Sequence, residues 1–172
     1  QTLLFSATYP DEIKKISAHC QKNPHEVSVE SVHSDTNIEQ HFYELRDGDR
    51  KNVAVQQLLA HFKPQSSIVF CNTKIQCQEV CDLLRAQRIS ALALHGDLEQ
   101  KDRDQVLVRF ANRSCSVLIA TDVAARGIDI KGLDAVINVE LAHDSEVHVH
   151  RIGRTGRAGE TGLALSWVAR NE

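Results

Sequence analysis

Short apolar runs alternate with amphipathic helical periods along most of this chain, and that alternation leaves few folds open. Ser67–Cys71, Ala91–Leu94, Val117–Ala120, Ala135–Val139 and Leu163–Val168 each read as a strand. Phe42, Tyr43 and Leu45 suggest another strand ahead of them, followed by a turn at Asp47-Gly48-Asp49. Between the strands lie helical periods. Val55, Leu58, Leu59 and Phe62 fall at i, i+3, i+4 and i+7 and end at Pro64. Cys77, Val80, Cys81 and Leu84 form a second stripe after a cap at Asn72 or Thr73. Val106, Leu107 and Phe110 face inward on a third helix. Strands that are apolar throughout are covered on both faces. Joined by helices they require right-handed crossovers, so residues 34–172 are expected to form one α/β domain around a parallel sheet with helices on both faces.

Residues 1–33 do not fit that unit. Residues 2–7 read as a short buried strand, and Pro10 with Asp11 marks a helix start carrying Ile13 and Ile16 on one face. Asn23-Pro24 closes it. Residues 26–32 alternate weakly, as a further strand would, and 31–37 read as a linker. A strand, a helix and a strand without partners look like the tail of a preceding domain. Leu3-Leu4-Phe5 then becomes an edge seeking a partner, so self-association through residues 1–30, or packing on the larger domain, is expected. The chain contains no methionine, even at position 1, which fits a piece of a longer protein.

No apolar run approaches the ~20 residues needed to cross a bilayer, so no membrane is expected as a partner. The net charge of −3 advertises no global affinity for nucleic acid, although a local arginine surface suffices for phosphate. Five cysteines without a secretory signal suit reduced thiols in the cytoplasm. Cys77 and Cys81 have the spacing of a metal half-site, but both fall on an apolar stripe, where cysteine acts as a small hydrophobe. No metal site is assigned.

Two stretches carry the chemistry. Val117-Leu118-Ile119 opens into a polar loop with Thr121, Asp122, Arg126 and Asp129. In a parallel sheet, ligand chemistry collects at such carboxyl ends of strands. The second stretch packs His150, Arg151, Arg154 and Arg157 into eight residues among glycines at 153, 156 and 159. Arginine at that density suits phosphate, because the guanidinium is always charged and presents a planar fork of donors. The same arginines also suit surface ion pairs, and Asp129 also suits a turn cap. Asp122 and Arg126 are expected to pair with neighbours in the domain. His95 and His148 read as packing or surface residues.

In order and spacing, Ser6-Ala7-Thr8, Val69-Phe70-Cys71-Asn72-Thr73, Gln100 with Arg103, Ala120–Asp129 and His150–Gly159 resemble motifs III to VI of the DEAD-box RNA helicases. The likeness covers essentially the whole chain. It implies a second RecA-like domain, of P-loop NTPase type, over residues 34–172. It also implies the end of the first RecA-like domain, plus linker, over 1–33. His95 to Gln100 and on through Asp122 looks most like the DbpA branch, which is linked to large ribosomal subunit maturation. In this family ATP binds between two domains. The resemblance makes Arg154 and Arg157 the arginines that reach the terminal phosphates, Asp129 the ribose ligand, and His150 a coupling residue in the catalytic set. It puts Thr121, Gly127, Gly96, Arg103 and Arg126 on the RNA side, and gives Ser6 and Thr8 interdomain coupling. Contacts of that kind meet phosphate and 2′-OH without reading bases.

The sequence contains no Gly-x-x-x-x-Gly-Lys-Ser/Thr loop and no Asp-Glu-Ala-Asp site. The β- and γ-phosphates and Mg²⁺ are therefore expected to be held by the N-terminal RecA-like domain, and this chain alone is expected not to hydrolyse ATP. The expected role is half of an ATP-dependent RNA helicase in ribosome assembly. Two other readings use the same residues: a non-enzymatic RNA-binding module, and half of a DNA translocase.

Overall fold

The computed structural model describes residues 2–6, 11–27, 38–45, 51–126, 128, 130, 132–156 and 161–168. The chain divides into two compact units, Gln1–Ser34 and Asp35–Glu172.

In the first unit, helix α1 spans Asp11–Cys20. Ser17 is buried, and its hydroxyl donates to Gln21 Oε1 at 2.8 Å. Gln21 Nε2 donates to the Thr2 carbonyl at 3.1 Å, which ties the leading segment to the helix. The strand expected over residues 2–7 is not formed in its described part, nor is one at Glu26 and Val27. A strand needs a neighbour for its backbone donors and acceptors, and residues 2–6 have no strand neighbour among the described residues. Leu3 and Phe5 are 68% and 87% exposed. Thr8 and residues 28–37 lie outside the described residues, as does the turn expected at 47–49.

The second unit runs β1 (Ile38–Glu44), α2 (Lys51–Phe62), β2 (Ser67–Cys71), α3 (Lys74–Ala86), β3 (Ala91–Leu94), α4 (Gln100–Ala111), β4 (Val117–Thr121), α5 (Asp122–Ala125), β5 (Ala135–Asn138), α6 (Ser145–Ile152) and β6 (Gly162–Val168). All pairings are parallel, in the order β1-β6-β5-β2-β4-β3. This is the expected α/β sheet. Its side chains alternate between two apolar layers, as the two-residue strand period dictates. Val69, Cys71, Ile119, Ile137 and Leu165 pack on one face with α2 and α3. Ile68, Phe70, Leu118, Leu94 and Val136 pack on the other with α4 and α5. Thr73 caps α3, its hydroxyl accepting from Gln76 N at 3.2 Å.

Two elements depart from expectation. The stretch after β4 forms the short helix α5 before any loop begins. Residues 145–152 form α6, capped by the Asp144 carboxylate, which accepts from Glu146 N at 2.7 Å. Val147 and Val149 disguise this helix, because β-branched residues favour strands.

Candidate nucleotide and RNA site

The carboxyl ends of the central strands converge on one side chain. Arg151, in the last turn of α6, is 2% exposed. Its Nε and Nη2 donate to the two carboxylate oxygens of Asp122, each at 2.7 Å. Nη2 also donates to Asn72 Oδ1 at 2.7 Å, and Nη1 to the Glu140 carbonyl at 2.8 Å, with Asn138 Oδ1 at a long 3.5 Å. The Phe70 ring lies 5.2 Å from the guanidinium carbon, close enough for cation–π attraction. A buried cation is tolerated only when paired and hydrogen-bonded, and these partners supply both. Asn72 follows β2, Asp122 follows β4, and Asn138 ends β5. Arg151 therefore fixes where three loops leave the sheet. Asn138 is held in turn by donating to Ser166 Oγ at 2.9 Å, and Lys51 pairs with Glu140 at 3.0 Å.

The turn after α6 is joined to the segment after β4 by a second set of bonds. Arg154 Nη1 donates to the Ile128 carbonyl at 2.8 Å, and its own carbonyl accepts from Leu133 N at 3.2 Å. The Thr155 hydroxyl donates to the Leu133 carbonyl, and a parallel bridge joins Leu133 to Thr155. The glycines here have tight neighbours. A Cβ on Gly162 would collide with the backbone of Gly156, whose φ is +68°.

The other expected site residues fall around this frame. His150 is exposed on α6, and Arg126 is exposed at the end of α5. Thr121 ends β4 half-buried, and its hydroxyl makes no cap bond to α5. Arg103, on α4, donates from Nη2 to the Ala124 carbonyl at 2.6 Å and so anchors α5. Gly96 lies exposed in the turn after β3, where an added Cβ would meet nothing within 4 Å. Beside it, Lys74 donates to Asp97 at 2.9 Å, which holds the Asp97 carboxyl below its usual range. Arg157, Asp129 and Gly127 lie outside the described residues, and Ser6 belongs to the first unit.

Of the two pairings expected within the domain, Asp122 makes its own, with Arg151. Arg126 makes no ion pair among the described residues, because its side chain points into solvent from the end of α5. Arg151, Asn72 and Asn138 were not foreseen as a network. The only signal was an asparagine ending an otherwise apolar strand.

His148 packs against Phe42 with ring centroids 6.3 Å apart, and its Nε2 lies 3.3 Å from Gln40 Oε1. Burial, and then the Arg151 charge, push its imidazole below the ordinary histidine value. Cys77 sits 3.2 Å from the Ile119 carbonyl, and burial raises its thiol to about 12. Burial likewise raises Cys71 and Cys81. These thiols stay protonated and pack as apolar groups.

Residues 50–159 match the helicase conserved C-terminal domain family. The solved E. coli DEAD-box protein SrmB, bound to regulator of ribonuclease activity A, is 34% identical, covers 78% of each chain and superposes with a TM-score of 0.70. The chain is a DEAD-box helicase C-terminal domain. This helicase domain is also 58% identical over all 172 residues to the ATP-dependent RNA helicase DbpA of Escherichia coli. It is 40% identical over 169 residues to the DEAD-box ATP-dependent RNA helicase RhpA of Helicobacter pylori. The chain spans 37% and 34% of the lengths of these two proteins. A DEAD box protein from the hyperthermophile Methanococcus jannaschii is 38% identical with a TM-score of 0.74, over 97% of this chain and 45% of that one. The parallel sheet with helices on both faces is thus the RecA-like fold of helicase C-terminal domains.

Proposed function

We infer that this domain is half of an ATP-dependent RNA helicase, working against an N-terminal RecA-like domain to open short RNA duplexes. The observation that carries this reading is the joining of two loops at the carboxyl end of the sheet. Asp122 with Arg151, and Ile128 with Arg154, hold the segment after β4 against the turn after α6. That joining brings together the two stretches whose residues suit phosphate, ribose and RNA backbone.

In this reading Arg154 and Arg157 face the terminal phosphates of ATP held by the N-terminal domain, with His150 coupling the two domains. Positive charge so placed meets the charge that develops in phosphoryl transfer, and one such arginine contributes about 10³–10⁵ in rate. Asp129 accepts from the ribose hydroxyls. Thr121, Gly127, Gly96, Arg103 and Arg126 form the RNA side. Gly96 supports this assignment, since nothing in its own surroundings demands a glycine while a close-approaching backbone would. Ser6 and Thr8 transmit between the domains. Mg²⁺ is assigned to the N-terminal domain, because this sequence has neither the Gly-x-x-x-x-Gly-Lys-Ser/Thr loop nor the Asp-Glu-Ala-Asp site. Ribosomal RNA and ribosome assembly are proposed from the resemblance of His95 through Asp122 to the DbpA branch, and a cytoplasmic setting from the reduced cysteines.

The test is binding to single-stranded RNA and DNA of one sequence, measured in a mixture with the N-terminal domain and a non-hydrolysable ATP analogue. Preference for RNA that weakens with Thr121→Val supports the reading. Equal affinity for DNA turns it toward a DNA translocase. RNA binding indifferent to nucleotide turns it toward a non-enzymatic module.

A further inference from the structure

A groove of about 460 Å³ lies between α4 and the segment that leads into β5, within the range of ~300–1,000 Å³ typical of ligand pockets. Its lining includes Gln65, Ser66 and Cys115, which precede β2 and β4, so it opens beside the amino ends of those strands. The Arg151 network sits at the opposite, carboxyl end. Nothing in the proposed helicase chemistry uses this groove.

The lining is unusual for free surface. Leu107 and Phe110 turn into the core, as the helical period requires. Val108 and Ala111, three residues apart, form a second apolar line that stays exposed, Val108 at 57%. Across the groove stand Ile128 and Ile130, both half-buried. Between them and Leu133 comes Gly132, whose φ of +67° disfavours any side chain and keeps the groove open. Arg113 is the one charged residue among the described residues of the lining. Its side chain is exposed, and no ion pair or side-chain hydrogen bond engages it among the described residues.

We propose that this groove docks a segment of a protein partner that presents an aliphatic or aromatic anchor beside an acidic residue. The anchor would lie between Val108–Ala111 and Ile128–Ile130, and the carboxylate would meet the Arg113 guanidinium. An exposed cation beside an aliphatic trough selects such a segment by charge complementarity. Nucleic acid needs several cations in register with its phosphates, and the described part of this lining offers one. The occupant also touches the back of a segment already bonded to the α6 turn: Ile128 accepts from Arg154, and Leu133 is bridged to Thr155.

The test uses isotope-labelled 172-residue chain and a short synthetic amphipathic helix with leucines on one face flanked by glutamates. The same peptide with lysines replacing the glutamates, and an oligouridylate, are the comparators. The acidic peptide is expected to shift the resonances of Val108, Ala111, Ile128 and Ile130. Arg113→Glu is expected to weaken it by about tenfold, the scale of one charge-assisted hydrogen bond. Ala111→Trp, at an exposed position, is expected to abolish binding by filling the trough while leaving the rest of the spectrum unchanged. Equal binding of the lysine peptide overturns the proposal. So does binding unaffected by both substitutions, or displacement of these same resonances by the oligouridylate.

Discussion

Replacing Arg151 by methionine, which keeps much of the side chain's length and removes its charge, tests how the loops are held. The guanidinium is 2% exposed and donates to Asp122, Asn72 and the Glu140 carbonyl at 2.7–2.8 Å. Its loss strands a carboxylate and two neutral acceptors. Breaking a buried ion pair from one side costs about 3–5 kcal/mol. Asp122 is 28% exposed, so water recovers part of that, and about 3 kcal/mol is expected. Against a typical total of ~5–15 kcal/mol this is a large share. Urea denaturation should show the midpoint falling by at least ~1 M with the slope unchanged. Arg151→Lys should lose about half as much, because a point cation cannot serve both oxygens of Asp122 and Asn72 together. Adding Asp122→Asn to Arg151→Met should recover at least ~1 kcal/mol, because the stranded charge is gone. A loss below ~1 kcal/mol for Arg151→Met, or strict additivity of the pair, refutes the argument that this network holds the strand ends.

Three other outcomes follow from the structure. The lowered His148 value means that its neutral form is favoured by folding. Its contribution is therefore full above the unfolded value of ~6.5 and is lost as pH falls from there through the folded value. Urea midpoints between about pH 7.5 and about pH 5.5 should drop less in His148→Gln than in the parent, and an equal drop contradicts the assignment. Of the five cysteines only Cys20 is exposed, so an aromatic disulfide reagent should titrate one thiol per native chain quickly and the rest only on unfolding. Two or more fast thiols would show that the Cys77 stripe is not packed as described. Phe5 is 87% exposed in an apolar segment, so sedimentation should show concentration-dependent association that Phe5→Asp abolishes. A monomer at every concentration removes the expectation of self-association.

The larger unit was legible because its central strands are short, mostly apolar and separated by clear helical periods. β2 and β3 lie where the residue patterns put them, and β4, β5 and β6 do so within a residue. The order β1-β6-β5-β2-β4-β3 was not legible, since strands buried on both faces carry no mark of their neighbours. Residues 2–6 failed as a strand although their composition suits one, because strand formation depends on a partner that hydropathy does not encode. Arg151 was hidden for a related reason. Hydropathy places an arginine at the surface, and only the fold brings Asn72, Asp122 and Glu140 around it. The arginine-rich and Thr121–Asp129 stretches stood out in the sequence, but that Arg151 among those arginines serves the fold was not legible. Arg151 is buried among protein acceptors, while Arg154 is half-buried in the turn after α6 and donates to the Ile128 carbonyl.

The most direct test of the helicase reading is ATP hydrolysis in a mixture of this chain with the N-terminal RecA-like domain and RNA, with and without Arg157→Ala. The account predicts no turnover by the chain alone, RNA-stimulated turnover on mixing, and a loss of about 10³-fold or more in the variant. Turnover by the isolated chain would contradict it. Turnover on mixing that is indifferent to Arg157→Ala would contradict it equally.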